Sequence, residues 1–184
     1  MSNKKQVQVR RLREGEKIES FSCGDHDLND FILNDAHNYR SSLLAVSYVM
    51  EEDNIPIAYF SLSNDSISVQ DFESGNKYKK FREIFPPNKR IRSYPAVKIG
   101  RFAICETKQK HGIGSQLLDF IKAYFIIDNK TGCKYITVDA YNNAIKFYEK
   151  NGFISLQTKE KNTSTKLMYF DLSIYKEKLN NLEL

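Results

Sequence analysis

Residues Gln109-Lys110-His111-Gly112-Ile113-Gly114-Ser115 lie between a β-rich run and a long helical pattern. Two glycines at the start of a helix let the backbone approach a ligand closely. The first amides of a helix have no partner inside it, and they carry the positive end of the helix dipole. An anion, and a pyrophosphate in particular, is the natural guest of such a junction. Two familiar phosphate loops are excluded. A P-loop needs Gly-Lys-Ser/Thr, which does not occur here. A dinucleotide fingerprint needs a third glycine at the position of Leu117, and the preceding strands do not open a βαβ unit.

Other chemistries find little support. Cys23, Cys105 and Cys133 form no C-x-x-C pair, and His26, His37 and His111 have no zinc spacing with them. No metal is expected, and the thiols read as small, half-buried groups in a reducing compartment. The chain of 184 residues is 41% apolar and 28% charged, the profile of one ordinary globular domain. No run approaches the ~18 apolar residues of a membrane helix. The first ten residues are charged without an apolar core, so no secretory signal is read and the cytoplasm is the expected compartment.

The formal net charge of +5 is unevenly distributed. Residues 1–13 hold Lys4, Lys5, Arg10, Arg11 and Arg13 with no acid, and residues 77–110 hold eleven basic residues against Glu83 and Glu106. The rest of the chain is therefore acidic. Segregation of this kind suits a polyanionic partner, or equally a solvated loop and a basic tail.

The elements that must position the loop follow from periodicity. Residues 6–12 alternate as a strand. Gly24 and Asp25 supply turn and cap chemistry for a helix carrying Leu28, Phe31, Ile32 and Ala36. Leu44 to Met50 and Ile55 to Leu62 read as a hairpin about a polar turn. Residues 64–95 lack a sustained period and read as an insertion over one face with a short helix near 77–84. A strand over 96–104 leads to the polar loop. The helix after it repeats Ile113, Leu117, Leu118, Ile121, Tyr124 and Phe125 every three or four residues. A strand over 135–139, a helix over 142–150 stopped by Asn151-Gly152, strands at 153–157 and 166–172, and a tail helix at 173–181 complete the order. The class is α/β or α+β: a mixed sheet flanked by helices, in a single domain over 1–184.

Gln109-Lys110-His111-Gly112-Ile113-Gly114 resembles the Gln/Arg-x-x-Gly-x-Gly/Ala signature of the GNAT family of N-acetyltransferases. A second match follows at a fitting distance. Tyr135-Ile-Thr-Val-Asp-Ala-Tyr-Asn-Asn-Ala-Ile-Lys-Phe-Tyr-Glu-Lys-Asn-Gly-Phe is similar to that family's strand, helix and aromatic-Tyr-Glu-x-x-Gly-Phe ending. Phe21-Ser-Cys-Gly with Leu28-Asn-Asp-Phe31, Tyr59-Phe-Ser-Leu-Ser, Tyr94-Pro-Ala-Val and Gly100-Arg-Phe-Ala resemble segments of the acetyltransferase toxins that act on aminoacyl-tRNA.

The resemblance implies the GNAT fold, with a central mixed, mostly antiparallel twisted sheet of six to seven strands flanked by helices, and an acetyl-CoA-dependent N-acetyltransferase. It implies that the backbone of Phe102, Ala103 and Ile104 pairs with the pantetheine arm. The amides of Gln109, Lys110, His111, Gly112, Ile113, Gly114 and Ser115 would bind the pyrophosphate. Tyr148 would be the general acid that protonates the departing thiolate, a reasonable task for a phenol with a pKa of about 10. Two positions depart from the family pattern. Lys110 stands where the loop often has glycine, and Tyr141 stands where the helix often begins with asparagine. Asn142 and Asn143 are then the neighbours that would cap the helix or touch the cofactor. As partners the resemblance implies tRNA through basic residues 77–110 and a ribbon-helix-helix antitoxin, and it leaves a homodimer open.

No carboxylate stands out as a general base; Glu106 and Glu149 are nearest in sequence. A lysine amine is about 0.1% neutral near pH 7.4, whereas an α-amine is roughly a quarter neutral. An enzyme without a strong base thus suits an α-amine, including that of an aminoacyl ester. A protein or small-molecule amine, and a non-catalytic CoA-binding module, are the alternatives.

Overall fold

The computed structural model describes residues 6–127, 131–156 and 164–181. Seven strands form one sheet in the order β1-β2-β3-β4-β5-β7-β6. They are β1 (Val7–Arg11), β2 (Val46–Glu52), β3 (Ile55–Ser68), β4 (Ser93–Ile104), β5 (Tyr135–Tyr141), β6 (Ile154–Ser155) and β7 (Thr165–Asp171). Helices α1 (His26–Asp30) and α2 (Ala36–Ser41) flank a π-helical turn at Phe31–Asp35. Further along come α3 (Gly75–Arg82), α4 (Ile113–Tyr124), α5 (Ile145–Lys150) and α6 (Leu172–Asn180). The β1/β2, β2/β3, β5/β7 and β6/β7 pairs are antiparallel. This is the expected α/β class with a mostly antiparallel sheet. No helix among the described residues is long and apolar enough to cross a membrane.

Several boundaries differ from the sequence reading. β3 runs on to Ser68, so residues 64–68 of the expected insertion are strand. Its last five residues, Asn64-Asp65-Ser66-Ile67-Ser68, are polar apart from the buried Ile67, too few apolar residues to register as a period. The helix expected near 77–84 begins at Gly75, because Ser74 caps it by accepting from the Lys77 amide at 3.3 Å. β4 starts at Ser93 and includes Pro95. The helix expected from Asn142 begins at Ile145, after a turn. β6 has two residues, and Gln157 of the expected strand lies outside the described residues.

The chain divides into two compact units, residues 1–63 with 99–117 and residues 64–98 with 118–184. In the first, Leu12, Ile18, Phe31, Ile32, Ala36, Val49, Tyr59 and Ala103 form one buried cluster, with Phe21, Cys23, Leu28 and Leu33 packed against it. The helix begins where the sequence placed it. Asp25 accepts from the Leu28 amide at 3.0 Å, and Gly24 takes φ +84° in the turn before it. The hairpin turn uses Asp53 and Asn54, both at positive φ, the combination that matches the twist of paired strands. Glu51 is almost fully buried; Arg10 meets it through both Nε (2.9 Å) and Nη2 (2.7 Å) and also bonds Glu16. Those bonds lower the Glu16 pKa and stabilise the guanidinium.

In the second unit Ile67, Phe72, Tyr78, Tyr94, Ala96, Tyr135 and Leu156 are buried together, with Phe81, Phe85, Leu167 and Tyr169 against them. This explains why 64–95 looked aperiodic: its apolar residues are aromatic anchors spaced by turns. Phe81 alone meets Phe72, Tyr78, Tyr94, Tyr135 and Tyr169 with ring centroids 5.1–6.3 Å apart. Full burial of such a side chain contributes about 1.5–3 kcal/mol.

Candidate active site

The loop that the sequence singled out belongs to the first unit and is held from below by side chains. β4 ends at Ile104, a short 3₁₀ turn covers Glu106–Lys108, and α4 starts at Ile113. The Cys105 amide donates to the Ile57 carbonyl at 2.8 Å, fixing the exit from the sheet. The Glu106 amide donates to the Ser22 carbonyl at 3.0 Å, and the Ser22 hydroxyl donates back to the Glu106 carboxylate at 2.8 Å. A Cβ on Gly24 would stand 3.3 Å from that carboxylate. The Phe21-Ser-Cys-Gly segment is therefore the bed on which the loop rests.

Gln109 completes the attachment. Its Nε2 donates to the Cys23 carbonyl at 2.9 Å and to the Ile104 carbonyl at 3.0 Å. The side chain of the signature's first residue thus works inward, on the protein itself. Lys108 likewise pairs with Glu52 at 2.6 Å. Glu106, read as one of the nearest candidates for a base, is engaged with Ser22.

Above these anchors the backbone turns through left-handed conformations at Lys110 (φ +63°) and Gly112 (φ +81°). A Cβ built on Gly112 meets nothing within 4 Å, so the space over the loop is open. Gly112 is required by its backbone angle, and its missing side chain leaves the approach clear. The amides of Ile113, Gly114 and Ser115 begin a twelve-residue helix, while the Gln116 amide already bonds the Gly112 carbonyl at 3.1 Å. His111 Nδ1 lies 2.7 Å from the Gln109 carbonyl. Open space, positive φ and outward helix-start amides fit a pyrophosphate. Of the strand residues before the loop, Ala103 is buried in the core, and Phe102 and Ile104 are half-buried.

Tyr148, Asn142 and Asn143 belong to the second unit. Tyr148 lies on α5 and is 5% exposed, between Phe147 (5.1 Å) and Phe153 (5.3 Å). Burial pushes its phenol well above the ordinary tyrosine value, so the group stays protonated. The helix is clamped at its far end. The Phe153 amide donates to the Tyr148 carbonyl at 3.0 Å, and Asn151 Nδ2 donates to the Phe147 carbonyl at 2.8 Å. Lys122, itself buried, donates to the Asn151 carbonyl at 3.1 Å and stacks its ammonium over Phe170 at 4.6 Å. Gly152 takes φ +85°, and a Cβ there would come 3.0 Å from the Phe170 ring. The motif ending in Asn-Gly-Phe is thus a tightly built stop behind the tyrosine.

One sequence expectation is corrected. Neither asparagine caps α5: the N-cap is Ala144, without a side-chain cap, and the Asn142 amide donates to the Ser164 carbonyl at 3.2 Å. With three non-helical residues between Tyr141 and Ile145, the asparagines fall in the turn before the cap position. Ser22, Gly24 and Lys122 were not read as functional, and Glu106 was read as a candidate base and not as an anchor. Of these, only Gly24, beside a cap residue, carried a local signal.

The comparisons agree with this geometry. No curated protein matches the sequence. Among solved structures, a Tyr-to-Phe variant of KacT superposes with a TM-score of 0.72 at 22% identity, covering 94% of this chain and 98% of that one. A bacterial toxin matches with a TM-score of 0.78 at 16% identity, covering 96% of each chain. AtaT complexed with acetyl-methionyl-tRNAfMet matches with a TM-score of 0.70 at 18% identity, covering 95% of this chain and 99% of that one. At such identities the likeness shows the fold. The acetyltransferase (GNAT) domain model matches residues 45–155, more than half of the chain, from the β2 hairpin through the glycine loop to the strand after Tyr148. The loop geometry, the sheet and this match agree, and the chain belongs to the GNAT family of acetyltransferases.

Proposed function

We propose that the protein transfers the acetyl group of acetyl-CoA to the α-amine of an aminoacyl-tRNA, acting as a toxin in the cytoplasm. The observation that carries the donor half is the open loop over Gly112, with its helix-start amides and with the Gln109 side chain engaged by the protein itself. The amides of Gln109 to Ser115 hold the pyrophosphate, and the backbone of Phe102 to Ile104 orients the acyl arm. When bound, acetyl-CoA supplies an activated acetyl thioester. Tyr148 holds a proton on its phenol oxygen and delivers it to the sulfur as the carbon–sulfur bond breaks. The amine nitrogen, which forms the new bond to the acetyl carbon, loses its own proton to solvent, and the Tyr148 phenolate regains one from solvent.

The acceptor half is supported by the structural likeness to AtaT in complex with acetyl-methionyl-tRNAfMet. It is also supported by exposed Lys79, Lys80, Lys89, Arg90 and Arg92 within the basic segment. Likeness to AtaT bound to the C-terminus of the antitoxin AtaR supports an antitoxin as partner, of the ribbon-helix-helix class that the sequence resemblance implies.

Incubation with labelled acetyl-CoA and a panel of charged tRNAs, peptides and polyamines tests the reading. Label is expected on the aminoacyl moiety of charged tRNA. Label on peptides or polyamines alone would overturn the acceptor, and absence of acetyl-CoA binding by calorimetry would overturn the enzyme.

A further inference from the structure

Arg101 lies on β4, one residue before the segment given to the acyl arm, on the same strand face as Ala103. Its guanidinium stacks on Phe31 with the central carbon 5.1 Å from the ring centroid. Phe31 is 3% exposed and opens the π-helical turn between α1 and α2; such turns frequently occur at functional sites. Behind Phe31 lies Tyr59, stacked at 6.2 Å and 15°, its hydroxyl donating to the Leu28 carbonyl at 2.6 Å. Tyr39 meets Phe31 edge-on at 5.2 Å and is itself 38% exposed. The arginine is thus placed over an aromatic base.

Its donors are poorly used. Nη1 donates to the adjacent Gly100 carbonyl at 3.0 Å. Nε is buried without a hydrogen-bond partner; its carboxylate neighbour, Asp27, lies at 3.9 Å, beyond hydrogen-bond reach, and is 66% exposed. With Nε enclosed, the donors left for a ligand are those of the terminal Nη1 and Nη2 nitrogens. About a third of the side chain faces solvent. A planar, pre-positioned guanidinium with spare donors matches the two oxygens of a phosphate.

We infer that Arg101, stacked on Phe31, receives a backbone phosphate at the single-stranded 3′ end of the charged RNA acceptor and so selects RNA-borne amines. This rests on the acceptor proposed above. It adds a phosphate receptor in the first unit, on the strand face packed by α1 and α2; the exposed lysines and arginines of residues 79–92 belong to the second unit. Asp27 opposes the incoming anion and tempers the site.

The test compares wild type, Arg101→Gln, Arg101→Lys and Asp27→Asn on a charged tRNA and on the same amino acid carried by adenosine alone, which has no phosphate. Arg101→Gln is expected to raise KM for charged tRNA roughly ten- to a hundredfold, with KM for acetyl-CoA and kinetics on aminoacyl-adenosine unchanged. The slope of log KM against log salt for charged tRNA should shrink by about 0.7, the share of one phosphate contact on a single strand, a change that loss of packing would not produce. Arg101→Lys should recover the salt slope but only part of the KM, and Asp27→Asn should lower KM for charged tRNA two- to threefold. Equal loss on both acceptors, or an unchanged salt slope, would overturn the inference while leaving the acceptor assignment intact. A wild type that acetylates aminoacyl-adenosine or peptides but never charged tRNA would overturn both.

Discussion

The glycine loop of the first unit and the tyrosine helix of the second are built on opposite plans. In the proposed reading the loop offers backbone to the ligand and uses side chains as anchors: Gln109, Glu106 and Ser22 all bond neighbouring segments of the protein. The helix offers a side chain and uses backbone as the anchor, through the Tyr148 and Asn151 carbonyls. Space differs in the same sense. A Cβ over Gly112 meets nothing within 4 Å, whereas one on Gly152 would press on the Phe170 ring at 3.0 Å. A site that binds through amides tolerates changes of residue type so long as the path of the chain is kept, and Lys110 at φ +63° is such a change. A site that works through one hydroxyl needs that hydroxyl and a rigid surround.

The largest effect should come from the helix. Tyr148→Phe is expected to lower kcat by about 10²- to 10⁴-fold, with little change in KM for acetyl-CoA and an unchanged melting temperature. An equal loss in KM would mean that the tyrosine binds rather than reacts. Because burial raises the phenol pKa, its acid form persists as pH climbs, and kcat should show no phenol-deprotonation limb up to pH 10, the ordinary tyrosine value. A limb below pH 10 that disappears in Tyr148→Phe would break this account.

The glycines come next and separate the two regions. Gly152→Ala is expected to destabilise by about 2–4 kcal/mol, through left-handed strain plus collision with the buried Phe170 ring. Gly112→Ala should lose only the strain, about 1–2 kcal/mol by denaturant titration, yet weaken acetyl-CoA binding more than Gly152→Ala does. Equal stability losses would mean that the loop is as tightly packed as the helix stop.

The smallest effect is a gain. Lys110→Gly should relieve a left-handed lysine and stabilise by a few tenths to about 1 kcal/mol, the unfolded-state freedom of glycine offsetting part of the relief. A loss in stability would mean that the lysine side chain anchors the loop as Gln109 does.

Much of this was legible in the chain because it depends on neighbours in sequence. Gly112 and Gly114 at a helix start, Asp25 before Leu28, Asn151-Gly152 after the tyrosine and the polar turn after Glu51 are local choices of dihedral angle and cap. Misreadings arose where partners are distant. Residues 64–68 became strand through pairing and the burial of Ile67. The expected cap by Asn142 or Asn143 gave way to Ala144, because the turn after β5 consumes three residues before the helix begins.

The sequence by itself determined the fold family and the position of the glycine loop, and it supplied the proposal of Tyr148 as the acid, since each is written in a short run of residues. Only the tertiary structure decided what each side chain does there. It placed Gln109 on the Cys23 carbonyl, 86 positions away; Lys108 on Glu52, 56 positions away; and Arg101 over Phe31 with a donor unmet. The physical reason is that dihedral preferences act over a few residues. A hydrogen bond or a stacked cation is settled by whatever the closed chain brings within about 3–5 Å.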